Sequence, residues 1–209
     1  MGLLEHVAEV EPDRGTYALR QDLAGRLGVE AVRLSGLDAG ALMAAVRRLR
    51  EAEETTLALR SRALTDELTG ALRRGAGRTA LERELARVLR GPEPRLVVAF
   101  VDVDSLKKVN DSRGHAAGDE LIYRVARALK GRLRSYDLLI RWGGDEFLCG
   151  LADVDVAIAE RALEAVRDQL ARDAGQTFSY GLATVRPGDT VEDLVARADA
   201  ALYKARRRP

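Results

Sequence analysis

The chain has 209 residues, enough for one ordinary domain plus a smaller segment, and its 46% hydrophobic content is enough for a packed core. Its 34 basic and 33 acidic residues leave a net charge of +1, so no overall field points to nucleic acid or a membrane surface. One cysteine, Cys149, excludes an internal disulfide, and no apolar stretch is long enough to span a bilayer.

The start, Met1-Gly2-Leu3-Leu4-Glu5-His6, lacks the basic-then-apolar order of a signal peptide and the Ser or Thr that myristoylation of Gly2 needs. A cytoplasmic protein is expected. Residues 1–36 form a short N-terminal region of unknown role. Ala18 to Leu27 predicts a short helix stopped at Gly28. The order Gln21-Asp22-Leu23-Ala24, then Leu27-Gly28-Val29, is loosely like the front of a helix-turn-helix. The following Glu30-Ala31-Val32-Arg33-Leu34 has one basic residue where a groove-reading helix needs several. A helical cap or sensing fragment is the expectation.

Residues 37–65 carry Leu42, Ala45, Leu49, Ala52, Thr56, Leu59 and Ala63, spaced by threes and fours, with charges between them. That is a heptad seam, and it predicts a dimerising or signal-transmitting helix. A single amphipathic helix packed on its own domain would show the same spacing, and the many alanines make the seam weak.

Residues 66–209 read as the main domain. Leu81, Leu85 and Val88 mark a helix face ended by Arg90-Gly91-Pro92-Glu93-Pro94. Leu96 to Val101 is a continuous apolar run, as in a buried central strand. Leu121, Val125 and Leu129 mark the next helix. Leu138-Leu139-Ile140 and Phe147-Leu148-Cys149 flank Gly143-Gly144 as two strands of a hairpin. Ile158, Ala162, Ala165 and Val166 predict a further helix face, and Thr177 to Val185 a further strand. Thr190 and Asp193 form a capping box opening a last helix with Leu194, Ala198 and Leu202. The order β-α-β-β-α-β from the central strand predicts an α+β, ferredoxin-related sandwich with a central, mainly antiparallel sheet. The helical or coiled-coil segment precedes it.

Two acidic pairs suggest chemistry. Asp102 and Asp104 straddle one residue at the end of the central strand and so share a face. Asp145 and Glu146 follow two glycines, which can take positive φ or let a ligand approach bare backbone. This topology can bring the two pairs together. Mg²⁺ favours one or two carboxylates plus phosphate oxygens, and such ions serve phosphoryl or nucleotidyl transfer. Acids at strand ends are otherwise ordinary solvated turn residues.

Several spaced motifs carry a resemblance. Asp102-x-Asp104-x-x-Lys107-x-x-Asn110-Asp111, Gly114-His115-x-x-Gly118-Asp119 and Arg141-x-Gly143-Gly144-Asp145-Glu146-Phe147 resemble the GGDEF family of diguanylate cyclases. Asp66-x-Leu68-Thr69-Gly70, Ser179-x-Gly181-x-Ala183 and Ala198-Asp199-x-Ala201-Leu202-Tyr203-x-Ala205 extend the likeness over about residues 64–206. The resemblance implies a palm-like variant of the sandwich. The implied reaction joins two GTP into cyclic di-GMP, releasing two pyrophosphates, across an antiparallel pair of active sites in a homodimer. It also implies Mg²⁺ or Mn²⁺ on Asp102, Asp145 and the Val103 carbonyl, with Glu146 beside the metals or the attacking hydroxyl. Catalysis would rest on Asp102, Asp145 and Glu146. Asn110 and Asp119 resemble the guanine readers, a role that amide and carboxylate groups suit. Lys107, Gly143, Gly144 and Arg206 resemble phosphate contacts. His115 is either a nucleotide contact or a helix-start residue.

Arg134-x-x-Asp137 resembles the family's inhibitory site for cyclic di-GMP, in register with Gly143. An arginine fork suits phosphate or guanine. A surface ion pair is the plain alternative. Some positions depart from the family: Leu106 replaces Phe, Ala71 and Arg73 replace Leu and Asn, and Arg206 replaces Lys. The sequence stops at Pro209 before a usual Gly-Arg, so a second phosphate arginine is expected to be absent or supplied by Arg207 or Arg208. The resemblance implies a product-inhibited cyclase. The alternative is an inactive module that binds cyclic di-GMP or GTP as a receptor. No nucleic-acid partner is expected.

Overall fold

The computed structural model describes residues 14–28 and 30–207, save the side chains of residue 32 and residues 57–62. The residues read for a leader, Val29, Arg208 and Pro209, and the Leu59 side chain lie outside that description. The chain divides into two compact units, Met1–Arg60 and Ser61–Pro209. Among the described residues no helix is long and apolar enough to cross a membrane.

In the first unit, α1 spans Arg14–Leu27 and α2 starts at Ala39, joined through a 3₁₀ turn at Ala31–Leu34. The α1 helix therefore starts four residues before the Ala18 expected. Asp38 opens α2 by accepting the Ala41 N–H at 2.7 Å. Leu23 of α1 is buried with Leu42 and Val46 of α2, and Leu19, Leu34, Ala45 and Leu49 pack around them. Arg26 reaches Glu53 at 2.8 Å, and the Arg20 guanidinium donates to the Ser35 and Leu37 carbonyls. Three positions of the heptad seam, Leu42, Ala45 and Leu49, are thus covered from within the chain. Ala52 and Thr56 stay exposed.

In the second unit, α2 ends at Leu64 and a five-stranded sheet follows in the order β1-β3-β4-β2-β5. The strands are β1 Leu72–Arg73, β2 Leu96–Val103, β3 Leu138–Arg141, β4 Glu146–Ala152 and β5 Phe178–Thr184. The pairings β2–β4, β2–β5 and β3–β4 are antiparallel, and β1 adds to β3 in parallel. Helices α3 (Arg74–Leu89) and α7 (Val191–Arg206) cover one face, packing Leu81, Leu85, Leu194, Ala198 and Leu202 on Val98, Phe100, Ile140 and Leu148. Helices α5 (His115–Arg132) and α6 (Val156–Ala174) cover the other, packing Leu121, Val125, Leu129 and Leu163 on Ala99, Val101, Phe147 and Cys149. The expected α+β sandwich is the observed one. Alternation along each strand separates the two cores, since successive residues point to opposite faces.

The α7 capping box forms as expected, with Thr190 and Asp193 exchanging side-chain-to-backbone bonds. Val166 of the expected α6 face is buried, but the rest of that face lies one residue out of phase. Ala159, Leu163, Val166 and Leu170 are buried, while Ile158 and Ala165 are exposed. Alanines on both sides of α6 made two stripes equally apolar, and only the leucines mark the true one. A short helix, α4 (Leu106–Arg113), was not expected; it ends at Gly114, whose φ of +80° breaks it from α5.

Candidate active site

The candidate residues gather where β2 meets the β3–β4 hairpin. Asp102 stands directly opposite Glu146 of β4 and Ser179 of β5, so all three lie on the α3/α7 face. The hairpin loop, Trp142 to Asp145, is closed by Trp142 and Gly143 N–H groups donating to the Glu146 carbonyl at 2.8 and 3.3 Å. The Val103 N–H donates to the Asp145 carbonyl at 3.1 Å and ties the loop to the end of β2. Acids 43 positions apart, Asp102 and Asp145, thereby meet at one sheet end.

Neither loop glycine takes positive φ. Gly143 lies close to Glu146: a Cβ there would fall 2.3 Å from the Glu146 Oε2, so that flexible side chain would have to swing aside. Gly144 faces open space, where a phosphate could lie against its backbone. Arg141 holds the loop from behind. Its guanidinium donates to the Gly144 carbonyl at 2.7 Å and to Asp66 Oδ1 at 2.9 Å. Burial works against the Asp66 charge, but the Thr69 and Arg141 hydrogen bonds hold its carboxyl below the usual range.

The crowding of acids is visible in their titration. Burial raises the Asp102 carboxyl; Arg206 opposes this, and Asp145 and Asp104 add to the rise. Burial also raises Glu146, with Asp102, Asp145 and Asp199 contributing and Arg74 opposing. Asp104 has a different task. Its two oxygens accept the Ser179 and Thr177 hydroxyls, each at 2.7 Å, which pins the start of β5. Arg206 donates to both oxygens of Asp102, at 3.2 Å to Oδ2 and closer to Oδ1, and approaches Asp104 Oδ1 at 3.6 Å.

Among the described residues no three His, Cys, Asp or Glu side chains form a ready-made cation cage. The donor set still fits a hard cation of the Mg²⁺ type. Such an ion takes one or two carboxylates and completes its shell with phosphate and water. Asp102 already accommodates a cationic group on both oxygens, and the nearby carboxylates add to the rise that burial imposes on Asp102 and Glu146.

The base-reading candidates lie on α4 and α5. Asn110 nests against Gly118, where a Cβ would fall 2.0 Å from its Oδ1. That Oδ1 is buried with no hydrogen-bond partner. Asp119, Lys107 and His115 are exposed on the same two helices, His115 as the first residue of α5. Gly118→Ala should push the Asn110 amide aside, raising KM for the nucleotide about tenfold with a smaller change in kcat. Steady-state kinetics on the folded variant would read this; an unchanged KM would remove Asn110 from nucleotide recognition.

The Arg134–Asp137 segment is a tight turn. Asp137 Oδ2 accepts the Arg134 N–H at 2.7 Å, and the Arg134 guanidinium donates to the Tyr136 hydroxyl at 2.7 Å while lying over its ring. A cavity of ≈ 400 Å³ adjoins it, lined by Arg132, Arg134, Asp137, Ile158 and Arg161 among others. Asp137 Oδ1 is buried without a partner. The two residues therefore do not form the surface ion pair considered above.

Arg74 had no local mark in the sequence, and nothing there marked which residues Arg141 and Asp199 meet. Arg74 stacks over Trp142 at 4.4 Å and, with Glu146 and Asp199, lines a cavity of ≈ 410 Å³ between α3 and α7. Arg141 pairs across 75 positions with Asp66. The dense spacing of carboxylates pointed only to the tip itself.

A five-stranded sheet with acids at the end of an interior strand and a glycine loop beside them defines a palm-like α+β domain. The chain belongs to the GGDEF family: the family model "Diguanylate cyclase, GGDEF domain" matches residues 63–209. It is 34% identical over 183 residues to "Diguanylate cyclase DgcP" of Pseudomonas aeruginosa, covering 80% of this chain and 27% of that protein. It is 32% identical over 219 residues to "Response regulator PleD" of Caulobacter vibrioides, covering 96% of this chain and 47% of that one. The chain thus spans less than half the length of these curated relatives. Among solved structures, the coiled coil and GGDEF domain of DgcB from Caulobacter crescentus, in complex with c-di-GMP, superposes with TM-score 0.71. It is 30% identical, and the match covers 79% of this chain and 90% of that one.

Proposed function

We propose that the protein is a diguanylate cyclase, condensing two GTP into cyclic di-GMP across a homodimer with product inhibition at Arg134 and Asp137. The observation that carries the reading is the meeting of Asp102, Asp145 and Glu146 at one sheet end beside the open backbone of Gly144. The unpartnered Asn110 oxygen supports a nucleotide base nearby. Relatives named as diguanylate cyclases support the same activity.

In each of two equivalent steps, a 3′-hydroxyl oxygen bonds to the α-phosphorus of the other GTP. The bond to the β-phosphate oxygen breaks, and pyrophosphate leaves with the electron pair. Asp102, Asp145 and the Val103 carbonyl would hold Mg²⁺ or Mn²⁺, which neutralises charge on the phosphates. Glu146, with its raised carboxyl, is suited to take the hydroxyl proton. Asn110 and Asp119 hold guanine. Lys107, His115, Arg206 and the Gly143-Gly144 backbone face the phosphates. Positioning and charge stabilisation do the rest. The α2 helix is the proposed dimerising element, with the units 1–36, 37–65 and 66–209 as input, transmission and catalysis.

Purified protein incubated with GTP and Mg²⁺ should yield cyclic di-GMP and two equivalents of pyrophosphate. No product, after stripping of any bound cyclic di-GMP, would overturn the enzyme reading. Light scattering with and without GTP tests the two-subunit step, which a strictly monomeric protein would exclude. The inhibitory site has its own support in the buried, unpartnered Asp137 oxygen beside a basic cavity. Arg134→Ala should raise the inhibitory concentration of product about tenfold or more, seen as progress curves that no longer flatten. Unchanged product sensitivity would place inhibition elsewhere.

A further inference from the structure

Asp102 and Asp104 share one sheet face but differ in what holds them. Both oxygens of Asp104 are engaged by the Ser179 and Thr177 hydroxyls. Among the described residues, Asp102 receives side-chain hydrogen bonds from Arg206 alone, and Arg206 takes both of its oxygens. The Asp102 side chain is 17% exposed and that of Arg206 40%, so the pair is partly shielded from water. Charge explains the contact. Asp102, Asp104, Asp145 and Glu146 crowd one sheet end, and the guanidinium is the cation lying on Asp102. A planar fork can span two oxygens of one carboxylate and still approach a second acid; a lysine ammonium, as a point charge, cannot do so equally.

We infer that Arg206 is an internal counter-cation for Asp102, which a divalent metal must displace and which then turns to the phosphates of the incoming nucleotide. The inference rests on Asp102 being a metal carboxylate. A guanidinium bonded to both oxygens and a divalent ion at the same oxygens repel each other and compete for the same lone pairs. Bare metal therefore binds only the fraction of molecules in which Arg206 has let go, and its apparent affinity falls by that fraction. Nucleotide phosphates offer Arg206 an equivalent anion. Partners are exchanged, charge stays balanced, and metal and nucleotide favour each other's binding. Arg206 is thus a positioning residue that suppresses futile metal binding at an unfilled site.

The test is Mn²⁺ binding to the full chain without nucleotide, read from the free-ion paramagnetic resonance signal. Arg206→Ala should bind Mn²⁺ about tenfold more tightly than the parent, and Arg206→Lys should fall between them. With a GTP analogue methylene-bridged between the α and β phosphates, the order should reverse, Arg206→Ala binding the nucleotide–Mn²⁺ pair more weakly. Adding Asp102→Ala to Arg206→Ala should abolish the tightened site. Equal or weaker Mn²⁺ binding by a folded Arg206→Ala would overturn the inference, as would tightening that survives loss of Asp102. Because Mn²⁺ binding is read without turnover, its outcome is independent of whether GTP is converted, and the two readings fail separately.

Discussion

Asp145→Ala is expected to abolish cyclic di-GMP formation, lowering kcat about 10³-fold, while leaving the melting temperature unchanged or slightly raised. The two halves of that expectation share one cause. Burial is the main cause that raises Asp102 and Glu146, and the Asp145 charge adds to it, so the folded protein holds like charges together at some cost. Removing one carboxylate relieves the repulsion and empties no core, since Asp145 is only half-buried and its backbone carbonyl still accepts from Val103. Like charges kept together at a cost to the fold are a usual form of stability–activity trade-off. Cyclic di-GMP binding beside Arg134 should persist in this variant. Paired kinetics and thermal melts decide the matter. Retained turnover would take Asp145 out of the reaction, and a sharp loss of stability would make it a structural residue.

Asp102→Ala should differ in an informative way. It leaves Arg206 without its main partner, next to Asp104 alone. The two aspartates look interchangeable in sequence, and the contact with α7 separates them.

What could be read from the sequence follows from physical range. The strands β2, β3 and β4 announce themselves because burial on both faces demands unbroken apolar runs. The last helix was legible from Thr190 and Asp193, a cap closed within four residues. The α4 helix was not, because it has no fully buried residue and so no apolar period to detect. The two-residue β1 is too short for any pattern. The α6 face slipped by one because alanine is more common on its wet side, where Ala157, Ala165 and Ala171 are exposed, than on its dry side, where Ala159 is buried. At the site, the spaced motifs marked Asp102, Asn110, Asp145 and Glu146 and the topology allowed the acidic pairs to meet, but the ion pairs between distant elements were not legible. The Arg206–Asp102 contact spans 104 positions and the Arg141–Asp66 contact spans 75. No local propensity encodes such pairs; the strand order creates them. The heptad seam shows the converse limit. Its spacing is real, but α1 occupies Leu42, Ala45 and Leu49, which spacing alone could not say.

Gly181→Ala should have the largest effect on folding of any single methyl added to the sheet. Gly181 pairs with Phe100 in the middle of β5, on the face covered by α7. A Cβ there would lie 2.1 Å from the Leu202 amide nitrogen, 2.3 Å from the Ala198 carbonyl oxygen and 2.7 Å from the Ala201 carbonyl carbon. All three are backbone atoms of a helix, so no rotamer change relieves the clash, unlike Gly143, where the obstacle is the flexible end of Glu146. The helix must lift from the sheet, pulling Leu194, Ala198 and Leu202 from their contacts with Val98 and Phe100. The cost is expected to be about 3 kcal/mol or more, a fall in Tm of about 10 °C. The same lift would carry Arg206 away from Asp102, because Arg206 is the last residue of that helix. Gly181→Ala should therefore lose stability and the Arg206 contact together, whereas Gly144→Ala, facing open space, should melt like the parent. Melting curves on the pair test this directly: equal Tm for Gly181→Ala and the parent would mean that α7 does not lie so close to β5. The glycine in Ser179-x-Gly181-x-Ala183 then has a physical reason, since only a residue without a side chain lets the helix bearing Arg206 rest against the strand whose Ser179 braces Asp104.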